Sequence, residues 1–128
     1  MTIIQEIAEQ KTSLEAIRHD IHAHPEIAFE EVRTSALVAE LLTSWGIEVH
    51  RGLGKTGLVG VLKGTGGTGT RAIGLRADMD ALPMPEYNKF AHASTNPGRM
   101  HGCGHDGHTT MLLLSLIHIS EPTRLGMI

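Results

Sequence analysis

The chain has 128 residues, enough for one domain, with 11 Lys and Arg against 14 Asp and Glu and a formal net charge of -3. Its basic residues are scattered, which excludes the phosphate-neutralising stripe of a nucleic-acid binder. A single cysteine, a charged N-terminus "MTIIQEIAEQK" and a longest apolar run, "MLLLSLI" at 111–117, far short of the roughly 20 residues of a membrane span argue against a disulfide framework, a secretory signal and a membrane anchor. The expectation is a soluble, cytoplasmic protein.

Apolar residues at Ile4, Ile7, Leu14, Ile17 and Ile21 follow a helical spacing and predict a first helix ending near His22, because Pro25 disfavours helical backbone at His24. The pattern recurs from about Glu30 to Trp45 through Val32, Leu37, Leu41 and Leu42, and Gly46 supplies the left-handed position that ends a helix. "IEVHR", "GLVGVLK" and "RAIGLRA" are short, aliphatic and bounded by glycines, which predicts three strands, with "GTGGTGT" turning the second toward the third. Residues 78–107 form a polar stretch holding three of the five prolines, a loop on which function can sit. From His108 to about Ile119 the sequence is helical again. This order predicts an α/β domain, or its first part.

Two glycine motifs point elsewhere. Gly64, Gly66 and Gly69 match G-x-G-x-x-G, but the phosphate of a dinucleotide needs a helix N-terminus at the end of that loop, and "TRAIGLRA" reads as a strand. "GLGKTG" at 52–57 imitates the end of a P-loop, yet the position of its first glycine is Val49. The first reads as a hairpin turn, a strand again follows the second in place of a helix, and a nucleotide-binding module is a distant third reading. In "HAHPE", His22 is expected to meet the C-terminal dipole of the first helix, and His24 and Pro25 to be structural.

The sharper constellation is "MHGCGHDGHTTM" at 100–111. Cys103 and His105 are separated by one glycine, so both side chains can reach one metal, and thiolate with imidazole suits zinc and similar transition ions. Gly102 and Gly104 permit sharp backbone turns, and the helix that follows offers its positive end to the thiolate. Upstream, Asp78 and Asp80 in "RADMDALP" alternate on a strand, so both face one side at its carboxyl end, where a carboxylate can accept the N–H of a metal-bound histidine. Each feature also has a bland reading, as a turn-capping aspartate or a small buried cysteine.

"RHDIHAHPEIAFEE", "TGLVGVLKG", "LRADMDALPMPE" and "MHGCGHDGHTTMLL", in this order and at these separations, resemble the N-terminal part of the metal-dependent amidohydrolases that include hippurate hydrolase, N-acyl-amino-acid amidohydrolase and N-acetyldiaminopimelate deacetylase. The resemblance runs from about residue 10 to Leu114. It implies an incomplete N-terminal portion of a zinc-peptidase-like catalytic domain, with helices packed on a mixed sheet, and hydrolysis of the amide of N-acylated amino acids such as hippurate. It further implies two divalent ions per complete site (zinc, manganese, cobalt or nickel), a small-molecule N-acyl amino acid as partner, and a homo-oligomeric complete enzyme. Position by position, Cys103 and His105 match metal ligands. "RADMD" matches the stretch bearing an active-site aspartate, at Asp78 with Asp80 as the competing choice. Asp106 and His108 match the motif as outer residues or helix-start residues.

By the same resemblance, bound metals would activate water and polarise the scissile carbonyl, with a glutamate as general base. That base is expected in a Glu-Glu block downstream, whereas the only glutamate after His105 is Glu121. The chain alone is therefore expected to be inactive, and the alternative reading is a non-catalytic metal-binding or interaction fragment. The family pattern is expected over 1–114, and 115–128, "SLIHISEPTRLGMI", to be a tail outside it, with Pro122 stopping the helix. Exposed apolar edges of an incomplete sheet predict marginal stability or aggregation.

Overall fold

In the computed structural model, which describes residues 5–64 and 69–125, four helices surround a two-stranded antiparallel sheet. The first predicted helix is divided at Gln10 into α1 (Gln5–Glu9) and α2 (Lys11–Ala23). There the N–H of Gln10 reaches the Ile7 carbonyl at 3.2 Å, a bond three residues back that tightens the turn.

The second helix, α3 (Val32–Ser44), is fixed at both ends. At its start the Glu26 carboxylate accepts the backbone N–H groups of Arg33 (2.9 Å) and Thr34 (2.7 Å) and the Thr34 hydroxyl (2.7 Å). A negative charge thus meets donors that the helix leaves unpaired. At its end Gly46, at φ 75°, takes the left-handed step. The N–H of Gly46 returns to Thr43 (2.9 Å) and that of Ile47 to Leu42 (3.0 Å), the paired bonds of a Schellman motif, and Ile47 and Leu42 meet in the core as that motif favours.

Strands β1 (Glu48–Leu53) and β2 (Gly57–Val61) pair with Glu48 opposite Val61 and a register shift between Arg51 and Leu53. Their connection contains Gly54 and Lys55 at positive φ, so the P-loop look-alike is a hairpin turn. Gly60 lies so close under α3 that a Cβ there would stand 3.1 Å from Leu42 and from Ile47. The "GTGGTG" turn falls partly outside the described residues.

The third expected strand does not form among the described residues. Residues 71–77 carry no ladder, and Ile73 and Leu75 are exposed. Strand geometry persists only where a neighbour accepts and donates the backbone bonds, and no described segment pairs with this one. Just beyond it the chain is tied down. The N–H of Ala81 donates to the Glu26 carbonyl at 2.7 Å in a parallel bridge, and Leu82 and Met100 exchange bonds of 2.9 and 3.0 Å in an antiparallel one.

The last helix, α4 (His105–Leu125), starts three residues earlier than its apolar pattern suggests and continues past Pro122. Gly104, at φ 91°, makes the entry, and its carbonyl accepts the N–H groups of Gly107 and His108. Pro122 lacks the N–H that would reach back to His118, but it lies in the final turn, where one missing bond does not end the helix. The core joins Val38 and Leu42 of α3, Ile47 and Leu113 of α4, flanked by Ile17, Trp45, Val49, Leu58 and Met79. It holds α2, α3 and α4 against the hairpin, leaving the 78–104 segment to lie over the start of α4.

Candidate metal centre

His105 begins α4 and stands between the two aspartates of the "RADMD" stretch. Its Nδ1 lies 2.9 Å from Asp80 Oδ1 and 2.9 Å from the Asp80 carbonyl oxygen, while its Nε2 lies 3.8 Å from Asp78 Oδ2. Two acceptors at Nδ1 require the proton to be there, which leaves the Nε2 lone pair facing Asp78 in the neutral ring. The two alternating carboxylates therefore reach the same imidazole from opposite edges. Asp80 orients it, in the manner of a carboxylate behind a metal-bound histidine.

His108, one turn along α4, brings its ring centroid to 5.3 Å from that of His105. Asp78, His105 and His108 each offer a ligand atom within 4.8 Å of the others. The buried Thr109 hydroxyl, also in the first turn, donates to the Asp78 carbonyl at 2.8 Å and ties the aspartate to the helix. Arg76, largely exposed, pairs loosely with Asp78 at 3.4 Å. Two imidazoles and a carboxylate, partly exposed, are a donor set that zinc, manganese, cobalt or nickel accepts. The residues present therefore fit a divalent ion.

Cys103 is exposed and stands outside this trio. The sequence pairs Cys103 with His105, and the resemblance gives His108 an outer or helix-start role; in the structure His108 stands beside His105 because helix α4 starts at His105, which puts residues 105 and 108 on neighbouring positions.

Beneath the trio lies a second polar group. Asp106, 1% exposed, accepts from Arg18 Nε at 3.2 Å and from His22 Nδ1 at 3.0 Å. His22 Nε2 meets Glu86 Oε1 at 3.1 Å, and Glu86 also accepts from Asn88 Nδ2 (2.9 Å) and from the Ser94 N–H (2.6 Å). His22 is thus not a histidine serving the dipole of α2. It lies in the last turn of that helix, but both ring nitrogens are turned to carboxylates. Burial acts against its charge, but the hydrogen bonds it donates to Glu86 and Asp106 outweigh it and raise its pKa. Asp106 and Glu86 are opposed in the same way by burial, and their donors nevertheless hold both carboxyls below the usual range.

His101 is buried, neither of its ring nitrogens has a hydrogen-bond partner among the described residues, the same holds for Asp106 Oδ1, and burial lowers the His101 pKa. His24 is structural, its Nδ1 2.7 Å from the Asp20 carbonyl, and Pro25 is buried with its carbonyl accepting from Asn96 Nδ2 at 3.0 Å. Arg18, Glu86 and His101 carry no local signal of this role. Their partners lie far away in sequence.

Residues 74–126 match the profile of Peptidase family M20/M25/M40. Over 121 residues the chain is 48% identical to a hippurate hydrolase from Campylobacter jejuni, covering 94% of this chain and 31% of that protein. It is 49% identical over 108 residues to an N-acyl-L-amino acid amidohydrolase from Geobacillus stearothermophilus, covering 84% and 28%. A dinuclear metal-binding peptidase of the M20 family from Bacillus subtilis superposes with a TM-score of 0.83 at 34% identity, over 90% of this chain and 32% of that one. The chain spans about a third of the length of these relatives.

Proposed function

Because this chain is a relative of the M20/M25/M40 peptidases and spans about a third of their length, we propose that it supplies part of the metal centre of an amidohydrolase acting on N-acylated amino acids of the hippurate type. The observation that carries the reading is the meeting of Asp78, His105 and His108, with Asp80 holding the far nitrogen of His105. Cys103, two residues before His105, is assigned to the same centre through the thiolate chemistry of its loop. Asp78 is the carboxylate on the metal side and Asp80 the one that orients. A divalent ion bound there would polarise the scissile carbonyl and make water acidic enough to attack it at neutral pH.

The chain's own residues then have separate tasks. Asp80 keeps the Nδ1 proton of His105 in place, so that Nε2 presents its lone pair. Thr109 holds Asp78 against the helix, and Arg76 pairs with the Asp78 carboxylate that would face the ion. The substrate is a small N-acyl amino acid, the setting is the cytoplasm, and the complete enzyme is a homo-oligomer. None of the described helices is long and apolar enough to cross a membrane.

The test is metal content after purification, followed by release of glycine from N-benzoylglycine with added manganese, zinc or cobalt. Metal uptake abolished in His105→Ala supports the centre, and turnover abolished with it supports catalysis. Uptake without turnover favours a binding role for this chain, and no uptake at all refutes the assignment.

A further inference from the structure

We propose that His22 is a positioning residue for the metal centre, bridging Asp106 and Glu86 so that the first turn of α4 presents His105 and His108 in a metal-binding orientation. This inference rests on the metal-centre reading above. Asp106 follows His105 directly, and successive helix positions diverge by about 100°, so holding Asp106 fixes the rotation of the turn that carries both imidazoles. Arg18 and His22, four residues apart on one face of α2, hold it together at 3.2 and 3.0 Å.

The grip extends to a third segment. Glu86, with its side chain 2% exposed, receives the other nitrogen of His22 and is itself pinned by Asn88 and the Ser94 N–H. A neutral imidazole has one N–H and could satisfy one of these carboxylates, whereas the imidazolium satisfies both. His22 thus ties α2, the start of α4 and the loop 86–94 at one point. The core contact of α4, at Leu113, lies two turns further along and does not set the rotation of its first turn as directly. Ligand atoms must sit within a few tenths of an ångström for tight binding, so a small rotation of that turn is felt at the metal.

Cobalt(II) titration of the whole chain tests this, read by calorimetry and by the visible absorption of the bound ion, for the parent protein, His22→Gln, Glu86→Gln and Leu42→Ala. Leu42→Ala lowers stability through the core without touching the clamp. The expected result is a loss of cobalt affinity of about 10- to 100-fold in His22→Gln and Glu86→Gln, altered absorption bands, and unchanged affinity per folded molecule in Leu42→Ala. Should His22→Gln fail to fold, Glu86→Gln, which keeps the shape of every side chain, carries the measurement. Parent-like affinity and spectrum in the clamp variants overturn the inference and leave the metal centre standing. An equal loss in Leu42→Ala overturns it as well, by reducing the effect to general stability. A parent chain that takes up no cobalt overturns the metal-centre reading and this inference with it.

Discussion

His22 and His105 each stand between two acidic side chains, and the two arrangements have opposite characters. Around His22 both carboxylates are desolvated, with Asp106 and Glu86 side chains 1% and 2% exposed, and every ring nitrogen is used. Around His105 the carboxylates are about a third exposed, at 28% and 32%, one nitrogen is held at 2.9 Å, and the other keeps 3.8 Å of room beside a second imidazole. A desolvated, saturated pair of bonds holds segments together. A half-satisfied, wetter one can accept an ion. The same residue types thus make a clamp in one place and a candidate ligand set in the other, and solvent access together with the unused nitrogen decides which.

Breaking the clamp should have the largest effect. Asp106→Ala leaves the His22 ring facing a buried gap, and loss of one partner of a buried pair costs about 3 kcal/mol. Urea unfolding should show a midpoint shift of that size, and a shift smaller than that of an ordinary surface variant would mean the clamp is not under load. Removing the other histidine should do the reverse. His105→Ala should weaken zinc or cobalt binding by more than about 100-fold, beyond the effect of an outer-shell change, and move metal-free stability by only about 1 kcal/mol. Calorimetric titration and urea curves on one preparation separate the two effects.

A third test uses pH. The folded pKa of His22 is raised, so the folded state binds its proton more tightly than the unfolded one, and its contribution is present below the unfolded value of 6.5 and lost as pH rises through the folded value. The thermal midpoint of the parent should therefore lose its advantage over His22→Gln as pH rises from 6 to values above the folded pKa, and a constant gap would show that His22 does not carry the charge. His101 works in the other direction. Its folded pKa is lowered, so stability falls as pH drops below 6.5 and the unfolded chain takes up the proton first. Asp106 and Glu86, both lowered, add stability that is lost only in acid, as pH falls through their folded values. The smallest expected change in stability belongs to Cys103→Ser. An exposed side chain outside any packed contact should alter stability by no more than about 0.5 kcal/mol, while loss of the thiolate-to-cobalt charge-transfer band would identify Cys103 as a ligand.

What could be read along the chain was whatever depends on near neighbours. The stop at Gly46 was legible because a Schellman ending needs one residue free to take positive φ, and the two strands flanking 52–57 because glycines bound two short aliphatic runs. A carboxylate of the "RADMD" stretch was expected beside a histidine, and Asp80 and Asp78 both lie near His105, although the strand whose alternation was to align them does not form among the described residues. Missed features depend on partners far along the sequence. Glu26 caps a helix that starts six residues later, Arg18 and His22 find Asp106 more than eighty residues away, and residues 71–77 have strand composition but no described strand beside them.

The sequence by itself determined the helix and hairpin boundaries to within a few residues, except at the end of α4, which runs six residues past the expected Ile119, and it carried the resemblance that the relatives support. Only the tertiary structure decided which histidine is closed and which is open. The burial that desolvates Asp106 and Glu86, and the early start of α4 that sets His108 beside His105, arise from three segments packing together, and no local pattern encodes how much water each carboxylate keeps.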